Sequence, residues 1–187
     1  MNNMEMINQK QADISRLVIF HPDFDRAISQ LKEAYLYNEQ TGMTRNHLLL
    51  GDSGTGKSTI KSTLVKAFKP KILDDRITIP VLTIDVPSKP TIKNIAETIL
   101  IKLGDPRFEK GAEAAKTSRI PHLAEKLGVR MIIFDEMQHF IDQGNKKTPT
   151  EVSDWLKTII ENTKVSTVLM GLKRTELLLE VNEQLRR

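Results

Sequence analysis

Leu48-Leu49-Leu50-Gly51-Asp52-Ser53-Gly54-Thr55-Gly56-Lys57-Ser58-Thr59 is the stretch that decides the fold. It satisfies G-x-x-x-x-G-K-[ST] at every fixed position: Gly51, Gly56, Lys57 and Ser58. The short apolar run Asn46 to Leu50 precedes it, and Ile60, Leu64, Ala67 and Phe68 recur behind it on one helical face. Strand, glycine-rich turn and helix in that order make a phosphate-binding loop. Glycines let the backbone turn its N–H groups inward around a phosphate, and the helix adds the positive end of its dipole. The pattern assigns Gly51 to Thr59 to a nucleotide, with Lys57 on the β- and γ-phosphates and the Ser58 hydroxyl on Mg²⁺.

Working outward, Val129 to Phe134 is a nearly continuous apolar run, as a strand buried on both faces should be, and Asp135-Glu136 follow it at once. In a parallel sheet the carboxyl ends of the strands form the ligand edge. Asp135 is thereby expected to hold magnesium, and Glu136 to polarise an attacking water. Gln138 and His139 follow closely enough to border the site.

The remaining elements alternate. A helix opens at Pro22-Asp23 and carries Phe24, Ala27, Ile28, Leu31 and Tyr35 as far as Thr41. A second strand is expected over Val81 to Val86, then a helix capped by Thr91 with Ile92, Ile95, Ala96, Ile99 and Leu103. A helix spans Pro121 to Leu127, and another begins at Thr148-Pro149-Thr150-Glu151 with Val152, Trp155, Leu156, Ile159 and Ile160 on its stripe. Trp155 therefore reads as core. A fourth strand runs from Val165 to Met170, and a last helix starts near Thr175. Alternating strands and helices imply an α/β fold: a parallel sheet with helices on both faces.

Composition narrows the function classes. The 187 residues allow one α/β domain; 39% hydrophobic and 28% charged content is that of a soluble globular chain. No apolar run approaches the roughly 20 residues of a membrane span. The amino terminus lacks an apolar h-region and does not read as a secretory signal. With no cysteine, thiol catalysis and Cys-based metal sites are excluded, which suits a cytoplasmic location. His21, His47, His122 and His139 show no metal-ligand spacing. A net charge of +4 favours a nucleic-acid partner only weakly.

With both motifs placed, the chain resembles the AAA+ ATPases, and more closely the TniB/TnsC-type regulators of DNA transposition. LLLGDSGTGKST, GVRMIIFDEMQHF, VSTVLMGLKRTELL and the terminal NEQLRR carry the resemblance. It implies a P-loop NTPase core over residues 22–187 behind an extension of residues 1–21. It further implies a slow, assembly-dependent ATPase that forms a ring or filament on DNA and recruits a transposase with a target-selection protein. A replication-type loader shares nearly every motif. A P-loop small-molecule kinase would need an acceptor pocket and a basic lid that the sequence does not suggest. Relatives carry a small polar sensor after the fourth strand. Met170-Gly171-Leu172 stands here instead, leaving that role to Lys173 or to no residue. Relatives also continue into a fifth strand and a helical lid, so a chain truncated before the lid is expected.

Three sets of residues carry two readings each. Arg186 and Arg187 match the place of an arginine finger acting on a neighbour's ATP, or they are ordinary positive charge at a helix end. Lys89, Lys93, Lys110, Lys116 and Arg119, where this family faces DNA, are sequence-independent phosphate contacts or a solvated face, as are Lys146 and Lys147. Val18 to Pro22 lines an adenine pocket or simply packs.

Overall fold

Every residue of the strand Met131–Asp135 is buried, and alternate side chains enter opposite apolar clusters: Met131 and Ile133 one, Ile132 and Phe134 the other. Such a strand requires helices on both sides. The computed structural model, which describes residues 22–142 and 148–180, supplies them. In chain order the elements are α1 (Pro22–Thr41), β1 (His47–Leu50), α2 (Lys57–Ala67), β2 (Val81–Asp85), α3 (Ile92–Lys102), α4 (Glu113–Thr117), α5 (Ile120–Lys126), β3 (Met131–Asp135), α6 (Gln138–Asp142), α7 (Thr148–Thr163), β4 (Ser166–Gly171), a 3₁₀ turn (Lys173–Glu176) and α8 (Leu177–Glu180).

The four strands are all parallel, in the order β1-β4-β3-β2. From β1 the chain crosses to the far edge and returns through β3 and β4. This places β4 between the phosphate-loop strand and the acid-bearing strand. On one face Ile28, Leu31, Ile60 and Leu64 of α1 and α2 cover Val81, Met131, Ile133, Val168 and Met170. On the other, Ile95, Ile99, Ala124, Leu156 and Ile159 of α3, α5 and α7 cover Leu82, Ile84, Ile132, Phe134 and Leu169. Trp155 is core as read, its ring edge-on to Phe134 with centroids 6.1 Å apart. An edge-to-face pair adds roughly 0.5–1.5 kcal/mol to its area burial.

Local signals hold where they are specific. The Thr91 hydroxyl accepts from Asn94 N at 3.1 Å, and the Asn94 side chain accepts from Thr91 N at 2.8 Å, a reciprocal cap for α3. The third strand departs from its expected bounds, beginning at Met131 and ending on Asp135. Val129 is drawn instead into closing α5, its N–H on Ala124 O at 2.9 Å, and the ladder gains the pair Asp85–Asp135. The short helices α4 and α6 were not expected; at five residues each they are too short for a periodic stripe. The Thr148 side chain is outside those described, as are the extension 1–21 and the end of the last helix.

Candidate functional site

The phosphate loop leaves β1 at Gly51, whose N–H donates to Gly171 O of β4 at 3.2 Å. Thr55 closes the loop by donating from its N–H (3.3 Å) and its hydroxyl (2.8 Å) to Asp52 O. Gly56 begins α2 at φ 91°, a conformation that strains any residue with a Cβ. Asp52, Ser53, Gly54, Thr55 and Ser58 are exposed, and Gly51, Gly56, Lys57 and Thr59 are half-buried around them. The Lys57 ammonium folds over the loop, donating to Gly51 O (2.6 Å) and Asp52 O (2.8 Å).

Asp135 is 3% exposed and both of its carboxylate oxygens are engaged. Oδ1 accepts from Glu136 N at 2.9 Å, and Oδ2 accepts from Lys61 Nζ at 2.7 Å. The same ammonium also pairs with Asp85 at the end of β2. Burial pushes the Lys61 pKa down, but the hydrogen bonds it donates to Asp135 and Asp85 outweigh it and hold it above the ordinary value. Lys61 is therefore a fixed positive charge inside the site. The sequence reading assigned it nothing; its only signal was a position one helical turn beyond Lys57.

Glu136 stands at φ 61°, left-handed backbone that costs a non-glycine residue on the order of 1–2 kcal/mol. The turn swings the chain out of β3 into α6. The Glu136 carboxylate accepts a hydrogen bond from the Gln138 amide and lies 4.0 Å from His139 Nε2. His139 Nδ1 is 2.7 Å from Val86 O, and a carbonyl only accepts, so Nδ1 carries hydrogen. Met137 N donates to Met170 O at 3.1 Å, and Leu172 N donates to the Gln138 amide oxygen at 3.2 Å. Beyond β4, Arg174 forks onto Asp142 at 2.6 and 2.7 Å, which holds the Asp142 carboxyl below its ordinary value. Phosphate loop, acidic pair and the end of β4 are thus one hydrogen-bonded edge.

The donor set fits a nucleotide-borne magnesium ion. Ser58 offers an exposed hydroxyl, and Asp135, whose oxygens already accept from Glu136 N and Lys61, would act on the ion through a water ligand; both are hard oxygen donors. No group of three or more His, Cys, Asp or Glu capable of caging a metal occurs among the described residues. An ion bound mainly through phosphates and water needs none.

Several expected residues lie elsewhere. Lys89, Lys93 and Lys110 are exposed. Lys116 is not: it is 0% exposed, paired with Glu97 at 3.1 Å and donating to Phe108 O at 2.7 Å. Its reading as a DNA contact is corrected, because the buried ammonium anchors the α3–α4 connection. Arg119 is half-buried and works the same loop, reaching Asp105 (2.9 Å), Arg107 O (3.0 Å) and Lys110 O (3.1 Å). Lys173, a possible sensor, is exposed in the 3₁₀ turn. Arg186, Arg187, Lys146, Lys147 and Val18 to His21 fall outside the described residues.

Strand order and loop chemistry together define a P-loop fold of the AAA+ type. Over residues 10–187 the chain matches the family described as bacterial TniB protein, and it belongs to that family. No curated protein matches it significantly. Its structure is similar to that of the Aeropyrum pernix ORC2 protein, in ADPNP-ADP complexes (TM-score 0.61, 16% identity, 85% of this chain and 44% of that one). It is also similar to the Aeropyrum pernix ORC1 protein in complex with DNA (TM-score 0.58, 18% identity, 88% and 44%). Cdc6p from Pyrobaculum aerophilum gives TM-score 0.59 at 16% identity, over 91% and 44%. The chain thus spans less than half the length of these neighbours. No helix among the described residues is long and apolar enough to cross a membrane.

Proposed function

We propose that this protein binds and slowly hydrolyses ATP, and that in the ATP form it assembles on DNA and engages a transposase. One observation carries the ATPase reading: Lys61, one turn along the helix that follows the phosphate loop, sits 2.7 Å from Asp135, so loop and acids converge at a single sheet edge. Lys57 and the loop N–H groups hold the β- and γ-phosphates, and Ser58 with Asp135 would hold magnesium. Magnesium, when bound, neutralises developing phosphate charge. Glu136 draws a proton from water at its exposed carboxylate. Arg186 and Arg187 act on a neighbouring subunit's nucleotide, which makes turnover depend on assembly.

Membership of the TniB family supports the transposition step. A replication-type loader is the second reading, favoured by the likeness to ORC and Cdc6 proteins. Lys89, Lys93 and Lys110 present the exposed charge for sequence-independent DNA contact. The test is phosphate release as a function of protein concentration, with and without duplex DNA, followed by capture of the cognate transposase or of a replicative helicase. Stimulation by DNA together with transposase capture supports the proposal. Helicase capture moves it to the loader, and ADP formation only with a small acceptor replaces both by a kinase.

A further inference from the structure

Gly171 closes β4 where a side chain would be hemmed in. A Cβ there would come within 2.3 Å of Thr175 Oγ1 and 2.8 Å of the Gln138 amide oxygen. The strand that separates the phosphate loop from the acids therefore ends without a side chain of its own, and Gln138 fills the place from the side. Gln138 is 4% exposed. Its amide has one workable orientation, because the Leu172 N–H can only donate and a carboxylate accepts. The oxygen takes Leu172 N at 3.2 Å, and the nitrogen donates to Glu136. One buried amide thus connects the backbone just past β4 with the carboxylate that faces water.

We propose that Gln138 is a positioning residue for the reaction: it supplies from α6 the polar group that Gly171 cannot supply from β4, and it couples the aim of Glu136 to the position of the β4 end. The inference rests on the ATPase reading above. Its physical basis is the backbone of Glu136. At φ 61° the residue is held against its local preference, so the turn that aims its carboxylate persists only because its surroundings fix it, and the Gln138 amide is one of those contacts. Arg174 and Asp142 brace the arrangement from the far end of α6. When the β4 end shifts, the amide oxygen follows Leu172, and the amide nitrogen turns Glu136 with it.

Gln138→Glu and Gln138→Leu on the full chain test this, beside Glu136→Gln and the parent. The readouts are nucleotide affinity, melting temperature and single-turnover hydrolysis of ATP by excess protein. Gln138→Glu keeps size and an acceptor for Leu172 but loses the donor to Glu136. Both Gln138 variants are expected to bind ATP within about threefold of the parent and to hydrolyse it roughly 10- to 100-fold more slowly, the usual loss for a supporting residue. Gly171→Ala, whose methyl displaces the amide, should lose turnover in the same way. Parent-like turnover in Gln138→Glu, while Glu136→Gln is inactive, overturns the inference and leaves the ATPase reading standing. Loss of ATP binding together with melting temperature in Gln138→Glu also overturns it, since the role would then be structural. Parent-like turnover in Glu136→Gln overturns the reading on which it rests.

Discussion

The Lys61 ammonium stands 2.7 Å from Oδ2 of Asp135, joining the helix after the phosphate loop to the strand that ends in the acids. The same group reaches Asp85, so one lysine ties α2 to both β2 and β3. Asp135 is almost wholly enclosed, and its carboxylate depends on that charge.

Lys61→Met should therefore cost about 3 kcal/mol of stability, the penalty for leaving a buried carboxylate without its ion-pair partner. Added magnesium should raise the melting temperature of the variant more than that of the parent, since a cation can then answer Asp135 directly. Thermal melts with and without magnesium check both parts. An unchanged melting temperature would show that the bridge stabilises nothing.

Lys57 makes its contacts to two loop carbonyls, that of half-buried Gly51 and that of exposed Asp52. Lys57→Ala is thus expected to leave the fold within about 0.5 kcal/mol of the parent, as surface substitutions do. Its affinity for ATP should fall at least tenfold, about 1.4 kcal/mol. Calorimetry on the folded variant decides; unchanged affinity would remove the phosphate-loop assignment.

Glu136→Gln keeps the size of the side chain and removes the base. ATP affinity should stay near that of the parent while turnover falls, the pattern of an interaction made mainly in the transition state. ATP-dependent assemblies on DNA should last correspondingly longer, as followed by light scattering. Turnover at the parent rate would exclude Glu136 as the base.

The two classes of lysine between β2 and β3 should separate cleanly. Reversing exposed Lys89 and Lys93 to Glu is expected to weaken binding equally on unrelated duplexes and to flatten its salt dependence, with little change in stability. Lys116→Ala should instead lower stability by about 3 kcal/mol, because Glu97 loses its partner and Phe108 O its donor. Stability and filter-binding measurements on both variants suffice. A Lys116 variant that is stable yet weak on DNA would reverse this assignment.

His47 opens β1 with Nε2 buried and lacking a hydrogen-bond partner among the described residues. Burial, then the nearby Arg45 charge, lowers its pKa below the ordinary 6.5. The unfolded chain takes up the proton near 6.5, and the folded chain only at lower pH. Stability should accordingly decline as pH falls below about 6.5, and be insensitive to this group above it. His47→Gln should flatten that slope in denaturant titrations at a series of pH values. An unchanged slope would place its origin elsewhere.

Local chemistry made much of this protein readable from its residues. Gly51 to Ser58, set between an apolar run and a helical stripe, reads as a glycine-rich strand-to-helix loop and folds as one, and the β3 run Met131 to Phe134 reads as a strand covered on both faces and is one. Trp155 and the Thr91 cap followed from spacing alone. Tertiary packing decided what no spacing encodes. Lys116 and Lys93 are both lysines between the same strands. Only the fold encloses the first against Glu97 and leaves the second in solvent. Lys61 becomes a partner of Asp135 because the parallel sheet brings the end of β3 beside the first turns of α2, across a separation no local pattern registers. Gln138 meets Leu172 for the same reason: hydrogen bonds between distant segments depend on strand order, and strand order is set by how helices cover a sheet rather than by any one stretch of chain.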